Sequence, residues 1–255
     1  MTSPTHPRSF KIILDRLEAF SRFEKIPLEV LGEISANGET LPILKLELNP
    51  HSEAQKSVLI SGGIHGDEPA GVETICEFLS NKLYTPFLKD WQITILPCLN
   101  PSGYQKDTRN NYDDQDLNRL FKLSTSSTEV EIAQKVLTSP FDLTLELHED
   151  CDSDGYYLFQ KENLLSEPPL GRKILNAVEP IMPINRSSEI EEIPADNGLI
   201  NRLKEPDEMP WWPMALYSYF IGCKRCFTLE TTPKLPMDVR VKAHLKAIAT
   251  ALNEY

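Results

Sequence analysis

Polar residues follow three hydrophobic segments of this 255-residue sequence, at the point where each segment ends. They are His65 and Glu68 after 57–61, His148 after 141–147, and Glu230 after 223–229. Each segment has the short, continuous apolar pattern of a buried strand. Ligands of open α/β sheets bind beyond the carboxyl ends of the strands. We therefore expect the four side chains to meet at one edge of a sheet.

These residue types suit a catalytic metal. His65 and Glu68 lie three residues apart on a turn into a predicted helix, so both can reach one ion, and His148 would be a third ligand. Two histidines and a glutamate with an open fourth position are typical of catalytic zinc, which activates water near neutral pH. Glu230 is the candidate base. The three-residue spacing alone is common in solvated pairs, so the prediction depends on the convergence of the strands.

The segments between these residues alternate between strand and helix patterns. Predicted strands cover 28–34, 41–48, 57–61, 91–96, 141–147 and 223–230, and predicted helices cover 10–20, 68–83, 130–137, 170–178 and 239–252. Buried strands alternating with helices predict an α/β fold with a mixed, mostly parallel central sheet flanked by helices. We expect one catalytic domain over 1–255, with an N-terminal helical segment at 1–27.

Residues 190–213 are the least regular part of the sequence, with four prolines and the pair Trp211-Trp212. A long segment of this kind in a compact domain is typical of a rim or lid over a binding site. Because disordered segments are usually poor in aromatic residues, the tryptophans favour a packed segment.

Charge and composition exclude several classes of partner. The formal net charge is −12, from 26 basic and 38 acidic residues, which argues against binding to nucleic acid or to an anionic membrane surface. The sequence has no apolar run of about 18 residues, so no membrane span is expected. Five scattered cysteines and a start without an apolar leader favour a cytoplasmic protein with reduced thiols. The sequence gives no indication of the oligomeric state.

Six motifs occur in order along the chain: His65-Gly66-Asp67-Glu68 before Pro69-Ala70-Gly71, Asn100-Pro101-Ser102-Gly103-Tyr104, Thr108-Arg109-Asn110, Asp116-Leu117-Asn118-Arg119-Leu120-Phe121, Leu145-Glu146-Leu147-His148, and Thr228-Leu229-Glu230-Thr231. With these motifs the sequence resembles the zinc carboxypeptidase superfamily, which includes carboxypeptidase A-like enzymes, murein-peptide amidases and the succinylglutamate desuccinylase/aspartoacylase branch. The resemblance covers roughly residues 28–250.

The resemblance implies one zinc ion per chain and a role for seven residues. They are the zinc ligands His65, Glu68 and His148, the substrate-carboxylate pair Asn118 and Arg119, the oxyanion-stabilising Arg109, and the general base and acid Glu230. An arginine can hold a carboxylate with two parallel hydrogen bonds, and an asparagine adds an amide donor. The resemblance gives the Asn-Pro-Ser-Gly stretch the role of a structural turn. No tyrosine could be assigned to cap the substrate, although Tyr217 and Tyr219 precede Glu230.

The predicted function is a zinc-dependent amide hydrolase of carboxypeptidase type, acting on a small peptide with a free α-carboxylate. The alternative is an N-acyl amino-acid deacylase, which needs another cation for a dicarboxylic substrate, with Arg172, Arg186 and Arg202 available. A non-catalytic carboxylate-binding protein is the third possibility. A second cation near Glu149 and Asp150 is less favoured than a solvated acidic loop.

Overall fold

The hydrophobic segments of the chain pair into one large sheet with helices on both of its faces. This computed structural model describes residues 8–50, 53–122, 127–162, 169–201 and 205–255. The strands are β1 (Leu28–Ala36), β2 (Glu39–Leu48), β3 (Lys56–Gly62), β4 (Trp91–Leu96), β5 (Leu143–Glu149), β6 (Tyr157–Glu162), β7 (Glu189–Ile190), β8 (Ile193–Pro194), β9 (Leu199–Asn201) and β10 (Arg225–Thr231). The helices are α1 (Phe10–Glu24), α2 (Pro69–Ser80), α3 (Pro101–Lys106), α4 (Thr128–Val136), α5 (Leu170–Val178), α6 (Met214–Phe220) and α7 (Met237–Glu254).

The main sheet has eight strands in the order β1-β2-β4-β3-β5-β10-β6-β9. Strands β4, β3, β5 and β10 are parallel to one another, and β9 is parallel to β6. The pairs β1–β2, β2–β4 and β10–β6 are antiparallel. The predicted α/β fold with a mixed, mostly parallel sheet is confirmed. Because β3, β5 and β10 are adjacent and parallel, their carboxyl ends lie at one edge.

The central strands β5 and β10 bury an apolar face and a polar face. Leu143, Leu145 and Leu147 of β5 pack in the main core with the inward residues of α2 and α7. Since successive side chains of a strand alternate between faces, Thr144, Glu146 and His148 lie on the other side, where they are also buried. Strand β10 follows the same pattern. A buried polar face needs partners for its polar groups, which makes this face the place to look for a functional site.

Several elements were not predicted from the sequence. Strands β6 and β9 and helix α6 have only short apolar runs, so no pattern predicted them. They form by pairing and packing with distant elements. The predicted turn at the Asn-Pro-Ser-Gly stretch is wrong, since these residues begin helix α3. Asn100 is the N-cap of this helix, and its side-chain oxygen accepts a hydrogen bond from the amide of Gly103 at 2.8 Å.

The N-terminal segment is helical, and the 190–213 segment has more regular structure than the sequence patterns indicated. Helix α1 lies within the predicted 1–27 segment and buries Phe10, Ile13, Leu17 and Phe20. The described part of 190–213 contains a short β-hairpin from β7 and β8, strand β9 and a 3₁₀ turn at Pro206–Glu208. Movement of this segment as a lid stays a prediction. Across the described ranges, no helix is both long and apolar enough to cross a membrane.

A contact between two glycines fixes the loop after β3. A side-chain carbon added to Gly66 would lie 1.9 Å from the carbonyl carbon of Gly103 and 2.2 Å from the amide nitrogen of Tyr104. The side-chain nitrogen of Asn100 also donates to the carbonyl oxygens of Ile64 and Arg109, at 3.3 Å each. The start of α3 therefore supports the backbone of the loop that contains His65 and Glu68.

We predict that Gly66→Ala lowers the free energy of unfolding by about 2 kcal/mol or more, because backbone atoms on both sides of the contact must separate. Urea denaturation followed by circular dichroism would measure the change. Gly38→Ala is the matched control: Gly38 has a positive φ of 78° but no atom within 4 Å of the added carbon. It should lose only about 1 kcal/mol through backbone strain. Equal losses in the two variants would contradict the importance of the Gly66 contact.

Candidate functional site

Three buried side chains meet at the carboxyl ends of β3 and β5. The Nδ1 atom of His65 lies 2.6 Å from one carboxylate oxygen of Glu68, and the Nδ1 atom of His148 lies 2.8 Å from the other. Each of the three side chains offers a ligand atom, and these atoms lie within 4.8 Å of one another. The structure thus brings together residues that are up to 83 positions apart in the sequence, and each turns a metal-binding atom toward the same point.

The electrostatics of this cluster suit a cation. Burial acts to raise the pKa of Glu68, but the two imidazoles lower it well below its usual range. Burial acts to lower the pKa of His148, but the Glu68 carboxylate raises it well above its usual value. The cluster therefore favours a carboxylate surrounded by positive charge. Two imidazole nitrogens and a carboxylate form a donor set for a divalent transition metal, and the residues present fit such an ion.

Asp116 connects this cluster to the rest of the site. One of its carboxylate oxygens lies 3.2 Å from Nε2 of His65 and accepts a hydrogen bond from the amide of Asn118 at 3.0 Å. The other oxygen accepts from Nε of Arg109, also at 3.0 Å. Burial acts to raise the pKa of Asp116, but His65 and Arg109 hold it below its usual range. A carboxylate behind a metal-binding histidine orients the ring and fixes its tautomer.

Asp116 has no role among the residues predicted from the sequence. The one local indication of a role was its position as the first residue of the Asp116-Leu117-Asn118-Arg119 run. An aspartate just before a short helix is typical of an N-cap, and here it caps the 3₁₀ turn Leu117–Arg119. Its second contact, with His65, could not be found from local sequence.

Arg109 lies beside the cluster. Its terminal nitrogen donates to Glu68 at 3.3 Å, and its own carbonyl oxygen accepts from the amide of Gly66 at 3.4 Å. The guanidinium group is partly exposed, so it can also reach a group on a bound molecule. A fixed positive charge at this position can stabilise negative charge on a molecule bound beside the cluster.

Asn118 and Arg119 are oriented by the segment that leads into α6. The side-chain oxygen of Asn118 accepts a hydrogen bond from the amide of Met214 at 2.9 Å, which assigns the oxygen and leaves the NH₂ group as the free donor. The guanidinium carbon of Arg119 lies 4.0 Å from the ring centre of Trp211. Trp211 was noted in the sequence only as part of a packed segment. One terminal nitrogen of Arg119 donates to the carbonyl oxygen of Asn118 at 3.1 Å, and stacking on one face of the guanidinium leaves its other N–H groups available for a carboxylate.

Glu230 lies directly across from His148, because the two residues are paired in the register of β10 and β5. It is only 7% exposed. Burial raises the pKa of Glu230 well above its usual value, with His148 acting in the opposite direction and Glu68 adding to the rise. A carboxyl group with a raised pKa beside the cluster of His65, Glu68 and His148 is suited to exchange protons.

Other polar residues near the site have structural partners. Glu149 accepts from the amide of Ala70 at the start of α2 and pairs with Arg240, so its carboxylate is already in use. Asp150 accepts from the hydroxyl of Tyr157 at 3.0 Å. Its neighbours Cys151 and Asp152 are exposed and could approach a cation together with it, but exposed acidic groups of this kind are common without an ion.

The tyrosines that precede Glu230 are occupied elsewhere. Tyr217 packs against Phe121 with ring centres 5.9 Å apart, and Tyr219 lies 4.8 Å from the ammonium group of Lys161. Neither has a described contact with the metal-binding residues, so a substrate-capping tyrosine stays unassigned.

Comparisons with known proteins agree with this geometry. Residues 54–241 match the model of the succinylglutamate desuccinylase/aspartoacylase catalytic domain. Carboxypeptidase SOL1 of Arabidopsis thaliana is 31% identical over 130 residues, which are 48% of this chain and 25% of that protein. Carboxypeptidase E of Caenorhabditis elegans is 31% identical over 153 residues, which are 50% of this chain and 32% of that protein. The matches thus cover about a quarter to a third of the length of these curated relatives.

Solved structures share the fold. A candidate metallopeptidase from Shewanella amazonensis has a TM-score of 0.82 at 23% identity, covering 96% of this chain and 93% of its own. A metallo-carboxypeptidase from Burkholderia cenocepacia has a TM-score of 0.71 at 19% identity, covering 97% of this chain and 70% of its own. Since the matching family model spans most of the sequence, the chain belongs to the succinylglutamate desuccinylase/aspartoacylase catalytic-domain family of the zinc carboxypeptidase superfamily.

Proposed function

We propose that this protein is a zinc-dependent amide hydrolase that cleaves the amide next to a residue with a free α-carboxylate. The observation that supports this most is the convergence of two imidazole Nδ1 atoms on the two oxygens of Glu68, with Glu230 across from His148. We propose one zinc ion per chain, held by His65, Glu68 and His148. When bound, zinc polarises a carbonyl group and makes a water molecule a stronger nucleophile near neutral pH.

The remaining residues have separate tasks in this proposal. Asn118 and Arg119 bind the substrate's carboxylate through the free NH₂ group and the guanidinium edge described above. Arg109 stabilises the negative charge on the oxygen of the scissile carbonyl. Glu230 accepts the proton of the attacking water and returns it to the departing nitrogen, as its buried position and raised pKa favour. The whole of 1–255 acts as one catalytic domain, and a cytoplasmic location remains part of the proposal.

We favour the carboxypeptidase reaction over N-acyl amino-acid deacylation. A dicarboxylic deacylase substrate needs a further cation, and two of the three candidate arginines have acidic partners on the surface. Arg172 donates to Asp196 at 2.8 Å, and Arg186 pairs with Glu179. The third, Arg202, lies outside the described residues. The family match favours the deacylase as the second candidate, since its model is that of the desuccinylase and aspartoacylase catalytic domain. The presence of the whole proposed catalytic set, with a buried Glu230, disfavours a carboxylate-binding protein without activity.

A substrate comparison separates the two reactions. We predict that the zinc-loaded protein hydrolyses a hippuryl dipeptide faster than N-acetyl-aspartate or N-succinyl-glutamate, measured by release of the free amino acid. Protein with Glu230→Gln, prepared in the same way, controls for contaminating peptidases and should release none. Hydrolysis of the N-acyl amino acids alone would replace the carboxypeptidase assignment with the deacylase.

Replacement of the proposed base should remove activity without removing zinc. We predict that Glu230→Gln lowers kcat by roughly 10²–10⁴-fold, because the amide cannot accept the proton of water. Zinc content by atomic emission should stay equal to that of the unaltered protein. Glu254→Gln, at the end of α7, is the control and should have normal turnover. Loss of zinc from the Glu230 variant would show that this carboxylate is a ligand instead.

The carboxylate anchor can be tested through KM. We predict that Arg119→Lys lowers kcat/KM by roughly 10–100-fold, mainly through KM, because an ammonium group cannot form two parallel hydrogen bonds or stack flat on Trp211. Steady-state kinetics on the hippuryl dipeptide would measure the effect. Arg22→Lys on the exposed side of α1 is the matched control. An unchanged KM for the Arg119 variant would contradict the anchor role.

A further inference from the structure

Glu146 is a buried carboxylate that the proposed function does not use. It is 2% exposed, and neither of its oxygens has a hydrogen-bond partner in the described parts of the chain. A carboxylate in this position is costly to bury, and native proteins rarely leave such a group without a partner unless it has a task. Its location on β5, two residues before His148 and on the same face, points to that task.

We propose that Glu146 is a positioning residue that orients the zinc ligand His148 through the ring nitrogen turned away from the metal. The inference rests on the proposed zinc site. The Nε2 atom of His148 lies 3.9 Å from a carboxylate oxygen of Glu146. This nitrogen is also buried and without a hydrogen-bond partner among the described residues. Two unsatisfied buried atoms with complementary chemistry therefore face each other.

Metal binding at Nδ1 would make Nε2 of His148 a hydrogen-bond donor to Glu146. The Nδ1 atom of His148 points toward Glu68 and the metal position. A neutral imidazole that gives the lone pair of Nδ1 to a metal carries its hydrogen on Nε2, which then needs an acceptor. Glu146 is such an acceptor, and a movement of about 1 Å brings the pair from 3.9 Å to hydrogen-bond distance. The other histidine has the same arrangement, since Asp116 lies 3.2 Å from Nε2 of His65.

A purely structural role for Glu146 predicts different behaviour. In that case the carboxylate would stabilise the fold, and its removal would weaken the metal-free protein. In a positioning role, the loss falls on the zinc-loaded state, in which Nε2 of His148 donates to Glu146. Removing the acceptor should therefore weaken zinc binding far more than it changes the stability of the metal-free protein.

The test uses the full chain with Glu146→Gln and Glu146→Leu. Zinc affinity is measured by competition with a chromophoric chelator, and the melting temperature is measured on the metal-free protein. We expect zinc affinity to fall by about 10–100-fold in the leucine variant and less in the glutamine variant, whose carbonyl oxygen can still accept. The melting temperature of both metal-free variants should stay within about 2–4 °C of that of the unaltered protein.

Thr144→Val is the matched control. Thr144 is buried on the same face of β5, two residues farther from His148, so its replacement should leave zinc affinity unchanged. Equal zinc affinity in the unaltered protein and both Glu146 variants would overturn the inference, and so would a parallel loss of affinity and metal-free stability. Failure of the proposed function would look different, because the unaltered protein itself would then bind no zinc. Zinc binding by the unaltered protein with no change in the Glu146 variants would overturn the inference alone.

Discussion

The parallel pairing of β5 with β3 on one side and β10 on the other is the constraint on which the site depends. This pairing places the end of β3, from which the His65–Glu68 loop departs, next to His148, and it sets His148 directly across from Glu230. A shift of one residue in either register would turn His148 or Glu230 to the opposite face of the sheet, into the apolar core. The apolar face of β5 and β10 prevents such a shift, because its leucine and phenylalanine side chains would then meet the polar side. The packing of the apolar face therefore fixes the positions of the polar side chains on the other face.

The loop after β3 is held mainly through contacts made by its backbone atoms. The close approach of Gly66 to Gly103 and the hydrogen bonds from Asn100 join the loop to the start of α3. Arg109 belongs to the same unit through its carbonyl oxygen, which accepts from both Gly66 and Asn100. One small cluster of backbone contacts thus sets the positions of His65, Glu68 and Arg109. Motifs that are separated in the sequence therefore hold one another in place through these contacts.

Carboxylates surround the proposed metal position in two layers. Glu68 contacts both imidazoles on their inner nitrogens, whereas Asp116 and Glu146 lie behind the outer nitrogens of His65 and His148. Asp116 also accepts hydrogen bonds from Arg109 and from the amide of Asn118, so it connects the proposed zinc ligands to the proposed carboxylate-binding pair. Glu146 has no such second partner among the described residues, which is why its state depends on His148 alone. The two histidines are therefore supported differently. Behind His65 lies Asp116, which has further hydrogen-bond partners, whereas behind His148 lies only the carboxylate of Glu146 among the described residues.

The sequence by itself determined the fold class, the strands β3, β5 and β10, and the candidate residues at or near their carboxyl ends, because apolar runs and the residue types at their ends are local properties. The contacts of Asp116 and Trp211 were decided by the tertiary structure. Asp116 meets a histidine 51 positions away, and Trp211 stacks on an arginine 92 positions before it. Strand β6 and helix α6 likewise form against partners distant in the chain. Local patterns give no information about such contacts, since these depend on which strands pair and in which register.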